Sequence, residues 1–131
     1  MPRVMMADAS LDGAVLMKTL TVLGATGSIG ANTLDVVRRS RHLYQVYALA
    51  AGSNVSTLLS QILEFRPRVA VVATSAGLDR LTEGLAATGL PRRDWPELVW
   101  GDRGLVDVAT AGEVDTVISA IVGVTAGYLV R

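Results

Sequence analysis

Residues 23–30 read Leu-Gly-Ala-Thr-Gly-Ser-Ile-Gly, and this stretch decides the fold that the sequence predicts. It follows a short apolar run, residues 20–23, and it leads into an amphipathic run over residues 31–37. A strand, a glycine-rich turn and a helix in this order form the arrangement that binds the phosphates of a dinucleotide. The N–H groups of the first helical turn have no partner inside the helix, so they face the anion together with the positive end of the helix dipole.

The three glycines of this stretch have the spacing Gly-x-x-Gly-x-x-Gly. Gly24 allows a sharp turn off the strand, Gly27 leaves room for a pyrophosphate, and Gly30 lets the helix pack close to the strand. A bare glycine triplet also marks ordinary turns, so the interpretation depends on the flanking strand and helix. A Walker A loop is excluded, because no Lys-Ser or Lys-Thr pair closes the stretch.

The composition excludes several other classes of protein. The chain has 131 residues, enough for one domain with a sizeable core, and half of them are hydrophobic. Twelve basic and twelve acidic residues cancel, which gives no reason to expect nucleic acid or an anionic membrane as a partner. The chain has no cysteine, which excludes disulfides and thiolate metal sites. No apolar run reaches the length of a membrane span, and a cytoplasmic location is expected.

Strand and helix patterns alternate along the rest of the chain. Strands are predicted at residues 44–51, 69–73, 98–100 and 116–122, with helices from a cap at Asn54 or Ser56 to about residue 65, and over 78–87 and 104–110. Residues 92–97 read as a loop. This alternation predicts an α/β fold, a doubly wound parallel sheet of the Rossmann-like, NAD(P)-binding type. Residues 1–17 are predicted to be a disordered N-terminal extension, or to result from a translation start upstream of Met17.

The end of the second predicted strand indicates which dinucleotide binds. An acidic residue about twenty positions after the last glycine would bind the ribose 2′-hydroxyl of NAD. That count leads to Ala50, and no carboxylate stands between it and Asn54. A 2′-phosphate would meet hydroxyl, amide and backbone donors there, which favours NADP by about tenfold to a hundredfold. The alternative is that residues 52–54 are only a turn and a helix cap.

Five short motifs together resemble the 1-deoxy-D-xylulose 5-phosphate reductoisomerase family, in its N-terminal NADPH-binding domain. They are the glycine motif at residues 24–30, Thr-Leu-Asp-Val at 33–36, Ala-Gly-Ser-Asn at 51–54, Glu-Phe-Arg-Pro-Arg at 64–68 and Ala-Ile-Val-Gly at 120–123. They occur in the family's order and cover most of the chain. This combination is far more specific than a glycine triplet.

The resemblance implies that one set of residues contacts the NADPH phosphates, a second holds the 2′-phosphate and a third lines the nicotinamide side. These three sets are, in that order, Gly24, Thr26, Gly27, Ser28 and Ile29; Gly52, Ser53 and Asn54; and Ala120, Ile121 and Val122. The resemblance also implies the family's reaction, an NADPH-dependent step of non-mevalonate isoprenoid biosynthesis that uses a divalent metal, Mg or Mn.

The resemblance stops after residue 123. Residues 124–131 look one residue out of step with the family and read as a truncated tail after a domain over residues 18–123. The family's Asn-Lys-Glu segment, acidic metal ligands, substrate lid and C-terminal domain have no counterpart in this sequence. We therefore expect a fold that is incomplete relative to the family. We also expect NADPH binding without turnover, with no catalytic residue and no metal ligand in this chain.

Other chemistry-bearing residues have simpler explanations. His42 and the arginines before it fit a solvated helix end, and Ser28 lacks the neighbours of a hydrolase triad. Asp102, Asp107, Glu113 and Asp115 are spread over a helix and its flanks and are not expected to form a metal cluster. Two alternatives stay open: an NmrA-like, atypical short-chain dehydrogenase that senses NADP, and a non-binding remnant whose open sheet edge favours aggregation or homo-oligomers.

Overall fold

The computed structural model describes residues 17–119, which form one parallel sheet with helices on both faces. Each strand except the last is followed by a helix that leads to the next strand. In chain order the elements are β1 (Lys18–Leu23), α1 (Ser28–Arg39), β2 (Tyr44–Ala50), α2 (Val55–Phe65), β3 (Val69–Val72), α3 (Ser75–Thr88), β4 (Glu97–Trp100), α4 (Gly101–Thr110) and β5 (Thr116–Ser119). The predicted doubly wound α/β fold is confirmed.

The strand order β4-β3-β2-β1-β5 reverses direction at β1. The first three crossovers move outward from β1 toward β4, and the last one returns across the sheet to place β5 on the other side of β1. All four neighbouring pairs are parallel. Ligands of open parallel sheets bind at such a reversal, at the carboxyl ends of the strands. The topology therefore puts the turn after β1 at the expected binding position.

Two apolar layers cover the sheet. One layer joins α1, α2 and α3 to the sheet through fully buried side chains such as Leu34, Leu58 and Leu81. The other layer is smaller and joins α4 to the opposite face through Val108. Thr21 is completely buried on this second side, and its hydroxyl donates to the carbonyl oxygen of Val108 at 2.8 Å. This bond attaches α4 to β1.

Some boundaries differ from the sequence prediction. Helix α3 begins three residues earlier than expected because the Thr74 hydroxyl caps it and accepts from the amide of Gly77. Helix α4 begins at Gly101 instead of residue 104. The predicted loop at 92–97 contains a short 3-10 turn, Arg92–Asp94, and the first residue of β4. The expected extension over residues 1–17 and the tail over 124–131 lie outside the described residues, apart from Met17.

Candidate functional site

The glycine-rich loop leaves β1 as a closed turn that is anchored to the end of β2. Gly24 has a φ of 77°, a conformation that residues with a side chain rarely adopt. The amides of Gly24 and Ala25 both donate to the carbonyl oxygen of Ala50, at 2.9 and 2.8 Å. The amide of Gly27 donates back to the carbonyl oxygen of Gly24 at 3.2 Å. These three backbone bonds fix the turn at the end of β1.

Helix α1 begins with an open N-terminus. Gly27 occupies the cap position without a side-chain cap, and the first turn holds no acidic residue. The first helical bond runs from the amide of Ala31 to the carbonyl oxygen of Gly27, and the amides of Ser28 and Ile29 find no acceptor in the described part of the chain. Ile29 is also 59% exposed, unusually so for an isoleucine. Free amides at a helix start are the donors that a phosphate requires.

Gly30 lies against the backbone of the glycine loop. A Cβ atom at this position would lie 2.2 Å from the carbonyl oxygen of Gly24 and 2.7 Å from the Cα of Ala25. Carbon atoms in contact are normally about 3.5–4.0 Å apart. The helix start therefore packs closely at Gly30, against the loop that follows β1 and not against the strand itself, and this packing depends on the absence of a side chain there.

The second predicted segment, residues 52–54, joins β2 to α2. Its three residues are exposed, and no carboxylate lies between Ala50 and Val55. Asn54 is the cap of α2, and its Oδ1 accepts from the amide of Thr57 at 3.2 Å. The segment is therefore a helix cap, as the simpler alternative proposed. The cap uses only the side-chain oxygen of Asn54. Its side-chain nitrogen, Nδ2, has no hydrogen-bond partner within the described residues.

A cleft of about 310 Å³ connects the two segments along the carboxyl ends of the strands. Gly24 and Gly27 line it at one end, and Gly52 lines it beside β2. Thr26, Ser28, Ile29, Ser53 and Asn54 belong to the same two segments without forming its walls. Ala120, Ile121 and Val122 lie outside the described residues.

The far wall of the cleft was missed by the sequence analysis. It is formed by Val72 and Ala73 at the end of β3, and by Gly101, Asp102 and Leu105 at the start of α4. A usable signal was present, because residues that follow neighbouring parallel strands lie at the same edge of the sheet. The sequence pattern weighs Asp102 only against a metal-ligand role, which it does not favour. Within residues 17–119 no group of three or more His, Asp or Glu side chains is placed to hold a metal.

A second cleft, of about 390 Å³, lies at the amino ends of the strands. Arg41, Arg66, Arg68 and Glu113 line it, together with Tyr47, whose pKa is raised chiefly by burial. Arg41 stacks on the ring of Phe65 at 4.7 Å, which supports the structural role expected for this basic helix end. In parallel sheets, ligands bind at the carboxyl ends, so the first cleft is the candidate site.

The arginines at the end of α1 serve a structural connection. The Arg38 guanidinium donates to both carboxylate oxygens of Glu64 on α2, at 2.5 and 2.8 Å, and also reaches Asp35. Arg39 pairs with Asp35 as well. These groups hold α1 and α2 together at the end of the sheet opposite the candidate site. No helix of the described residues has the length and apolar character needed to span a membrane.

Comparisons with known proteins agree on one family. The family model described as 1-deoxy-D-xylulose 5-phosphate reductoisomerase matches residues 20–128. A protein of that name from Solibacter usitatus is 65% identical over 108 residues, which are 82% of this chain and 27% of the relative. The chloroplastic protein of that name from Oryza sativa subsp. japonica is 40% identical over 107 residues, 81% of this chain and 22% of the relative.

Solved structures give the same result. A crystal structure of DOX-P reductoisomerase in complex with NADPH, fosmidomycin and magnesium matches with a TM-score of 0.72 and 35% identity, covering 80% of this chain and 24% of that chain. The reductoisomerase from Zymomonas mobilis in complex with NADPH matches with a TM-score of 0.70 and 38% identity, covering 81% and 26%. The chain spans about a quarter of the length of the relatives it matches.

Proposed function

The chain belongs to the 1-deoxy-D-xylulose 5-phosphate reductoisomerase family, and we propose that its residues 18–123 form the NADPH-binding domain of such an enzyme. One observation carries this proposal. The cleft at the carboxyl ends of the strands runs from a glycine loop with free amides to a strand end that lacks a carboxylate. Membership of the family also favours the reductoisomerase over the NmrA-like alternative.

The glycine loop fits the pyrophosphate of NADPH. Gly24 and Gly27 present backbone without side chains to the cleft, so an anion has room to approach. The unpaired amides of Ser28 and Ile29 would donate to its oxygens, and the dipole of α1 adds positive potential at the same place. Thr26 lies between Gly24 and Gly27 in the same turn. We assign the pyrophosphate to Gly24, Thr26, Gly27, Ser28 and Ile29.

The segment after β2 fits the 2′-phosphate. Gly52, Ser53 and Asn54 are exposed at the start of α2, where a helix N-terminus attracts an anion. The side-chain amide of Asn54 and the hydroxyl of Ser53 could donate to the phosphate, and residues 50–54 include no carboxylate that would repel it. Donors to a charged group contribute about 1.5–3 kcal/mol, so NADPH should bind about tenfold to a hundredfold more tightly than NADH.

The nicotinamide side is assigned to Ala120, Ile121 and Val122. These residues lie outside the described range, and the assignment comes from the family resemblance. The position of β5 supports it, because Ser119 at its end pairs with Leu23, which directly precedes the glycine loop. A dinucleotide that crosses the point where the strand order reverses would extend toward this side of β1.

The whole enzyme would convert 1-deoxy-D-xylulose 5-phosphate to 2-C-methyl-D-erythritol 4-phosphate in non-mevalonate isoprenoid biosynthesis, in the cytoplasm. In the whole enzyme NADPH would supply the hydride, and a divalent metal, Mg or Mn, would polarise the substrate carbonyl. In this proposal the described residues would bind and orient the cofactor, and no metal cluster is found among residues 17–119. We propose that the 131 residues alone bind NADPH without turning over substrate.

Calorimetric titration of the 131-residue chain with NADPH and NADH tests the proposal. Binding of NADPH with at least a tenfold preference over NADH is the expected result. Absence of binding by a chain that circular dichroism shows to be folded would refute the cofactor role and favour a remnant without function. Addition of the sugar phosphate and Mg²⁺ tests the second part, since metal-dependent NADPH oxidation would contradict the expected lack of turnover.

A further inference from the structure

Gln61 is a polar residue in the apolar face of α2. It is 9% exposed, and among the described residues only Thr21 shares its status as a buried polar side chain. Its neighbours on the same face, Leu58, Ile62 and Phe65, belong to the hydrophobic core. A polar side chain in such a place costs free energy unless its groups are hydrogen-bonded.

The hydrogen bonds of Gln61 are incomplete. Its Nε2 donates to the carbonyl oxygen of Ala25 in the glycine loop at 2.8 Å, across 36 positions of sequence. Its Oε1 is buried and has no partner in the described part of the chain. The opposite orientation of the amide would place two acceptor oxygens against each other. The contact with Ala25 therefore decides the orientation, although the other half of the amide stays unsatisfied.

This contact fixes the direction of one peptide unit of the loop. No peptide bond among the described residues is cis, and in a trans peptide the C=O and the following N–H point in opposite directions. When Gln61 holds the Ala25 oxygen on the α2 side, the Thr26 N–H must point away from α2. That N–H has no acceptor within residues 17–119. The preceding peptide is already fixed through the carbonyl oxygen of Ala50.

We propose that Gln61 is a positioning residue for the cofactor: it prevents rotation of the Ala25–Thr26 peptide and so presents the Thr26 N–H to the cofactor's pyrophosphate. This inference rests on the proposed function. It explains why a buried side chain with an unsatisfied oxygen occupies a site that an apolar residue would fill at less cost. In this proposal α2 contributes twice to the site: Asn54 at its start binds the 2′-phosphate, and Gln61 holds the glycine loop in place.

The variant Gln61→Met tests the inference, because methionine keeps the length of the side chain and removes the donor. Gln45→Met is the matched control: the Nε2 of Gln45 donates to the Thr19 hydroxyl at 2.9 Å, near the amino ends of the strands. Calorimetry would compare NADPH with adenosine 2′-monophosphate, which carries the 2′-phosphate and lacks the pyrophosphate. A general loss of structure would weaken both ligands, whereas loss of the loop orientation would weaken only NADPH.

We expect Gln61→Met to weaken NADPH binding by roughly two- to tenfold, the effect of one hydrogen bond, and to leave adenosine 2′-monophosphate unchanged. Gln45→Met should change neither. If Gln61→Met binds NADPH as tightly as the wild type, or loses affinity equally for both ligands, the positioning role is overturned. The proposed function still stands in that case, provided that the wild-type chain binds NADPH. A wild-type chain that binds neither ligand overturns both.

Gln61→Glu provides a second variant in case the methionine variant does not fold. A protonated carboxyl can donate to the Ala25 oxygen, whereas a carboxylate cannot, and burial raises the pKa of such a group. Its NADPH affinity relative to the wild type should therefore be lower at about pH 9 than at about pH 6. Equal ratios at the two pH values would contradict the inference.

Discussion

Replacement of Gly30 by alanine tests whether the close approach of α1 to the glycine loop is essential. The new Cβ would meet three backbone atoms, the Gly24 oxygen at 2.2 Å and the Ala25 Cα and C at 2.7 and 2.8 Å. Backbone atoms cannot rotate aside as a side chain can. Either the loop or the start of the helix must therefore move by more than about one ångström to restore normal contact.

The magnitude follows from the bonds that hold the loop. Its position is fixed by the amides of Gly24 and Ala25 on the Ala50 oxygen and by Gln61 on the Ala25 oxygen. Loss of these three bonds at about 0.5–1.5 kcal/mol each costs roughly 1.5–4.5 kcal/mol. Alanine returns about 1 kcal/mol through its higher helix propensity. We expect the free energy of unfolding to fall by about 2 kcal/mol. If this free energy decreases by about 2 kcal/mol per molar urea, the urea midpoint should fall by about 1 M.

Urea unfolding followed by far-ultraviolet circular dichroism measures this change. Gly84→Ala is the matched control, because Gly84 also lies inside a helix, and its added Cβ would meet only side-chain atoms of Leu59, the nearest being Cδ2 at 3.0 Å. That methyl group can rotate, so this variant should be as stable as the wild type or slightly more so. If Gly30→Ala unfolds at the same urea concentration as Gly84→Ala, the loop is not held as described.

Three further changes test other parts of the structure. Asn54→Asp keeps the cap of α2 and replaces the amide by a charge; stability in urea should hold while calorimetry shows at least tenfold weaker NADPH binding and little change for NADH. Hydrogen bonds from Arg38 hold the pKa of Glu64 in the folded protein below its ordinary value. The pair therefore stabilises the fold fully at pH values above the ordinary pKa, and this stabilisation is lost as the pH falls through the lowered pKa. Glu64→Gln should therefore lower the urea midpoint at pH 7 and make no difference in strong acid, and an equal difference at both pH values would contradict the pairing. Thr21→Val removes the donor to the buried Val108 oxygen and should cost about 1–3 kcal/mol in the same assay, whereas an unchanged midpoint would show that this bond does not hold α4.

The fold and half of the site follow from local sequence patterns. The glycine loop could be predicted because Gly24 and Gly30 stand where a strand meets a helix, and each position needs the absence of a side chain. Asn54 could be predicted as a cap because an asparagine before an apolar helical pattern commonly accepts from the first turn. These signals lie within a few residues of the structure they specify.

The remaining parts depend on contacts between distant segments. The spacing of Leu58 and Ile62 predicts the buried face of α2, but it does not explain why the polar Gln61 lies in that same face. Its partner, Ala25, is 36 positions away. Asp102 likewise lines the cleft only because α4 starts at the edge where β1 and β2 also end. Such features require the topology of the sheet before individual residues can be assigned.

The pairing of β1 with β5 has a consequence for the synthesis of the chain. Thr19 on β1 exchanges hydrogen bonds with Asp115, which is 96 positions away and precedes β5. At about 5–20 residues per second, the ribosome needs roughly 5–20 s to make the chain between them. During that time one edge of β1 has no native partner, and an unpaired strand edge can join other chains. The nascent polypeptide is thus most vulnerable to misassembly just before its last described strand emerges.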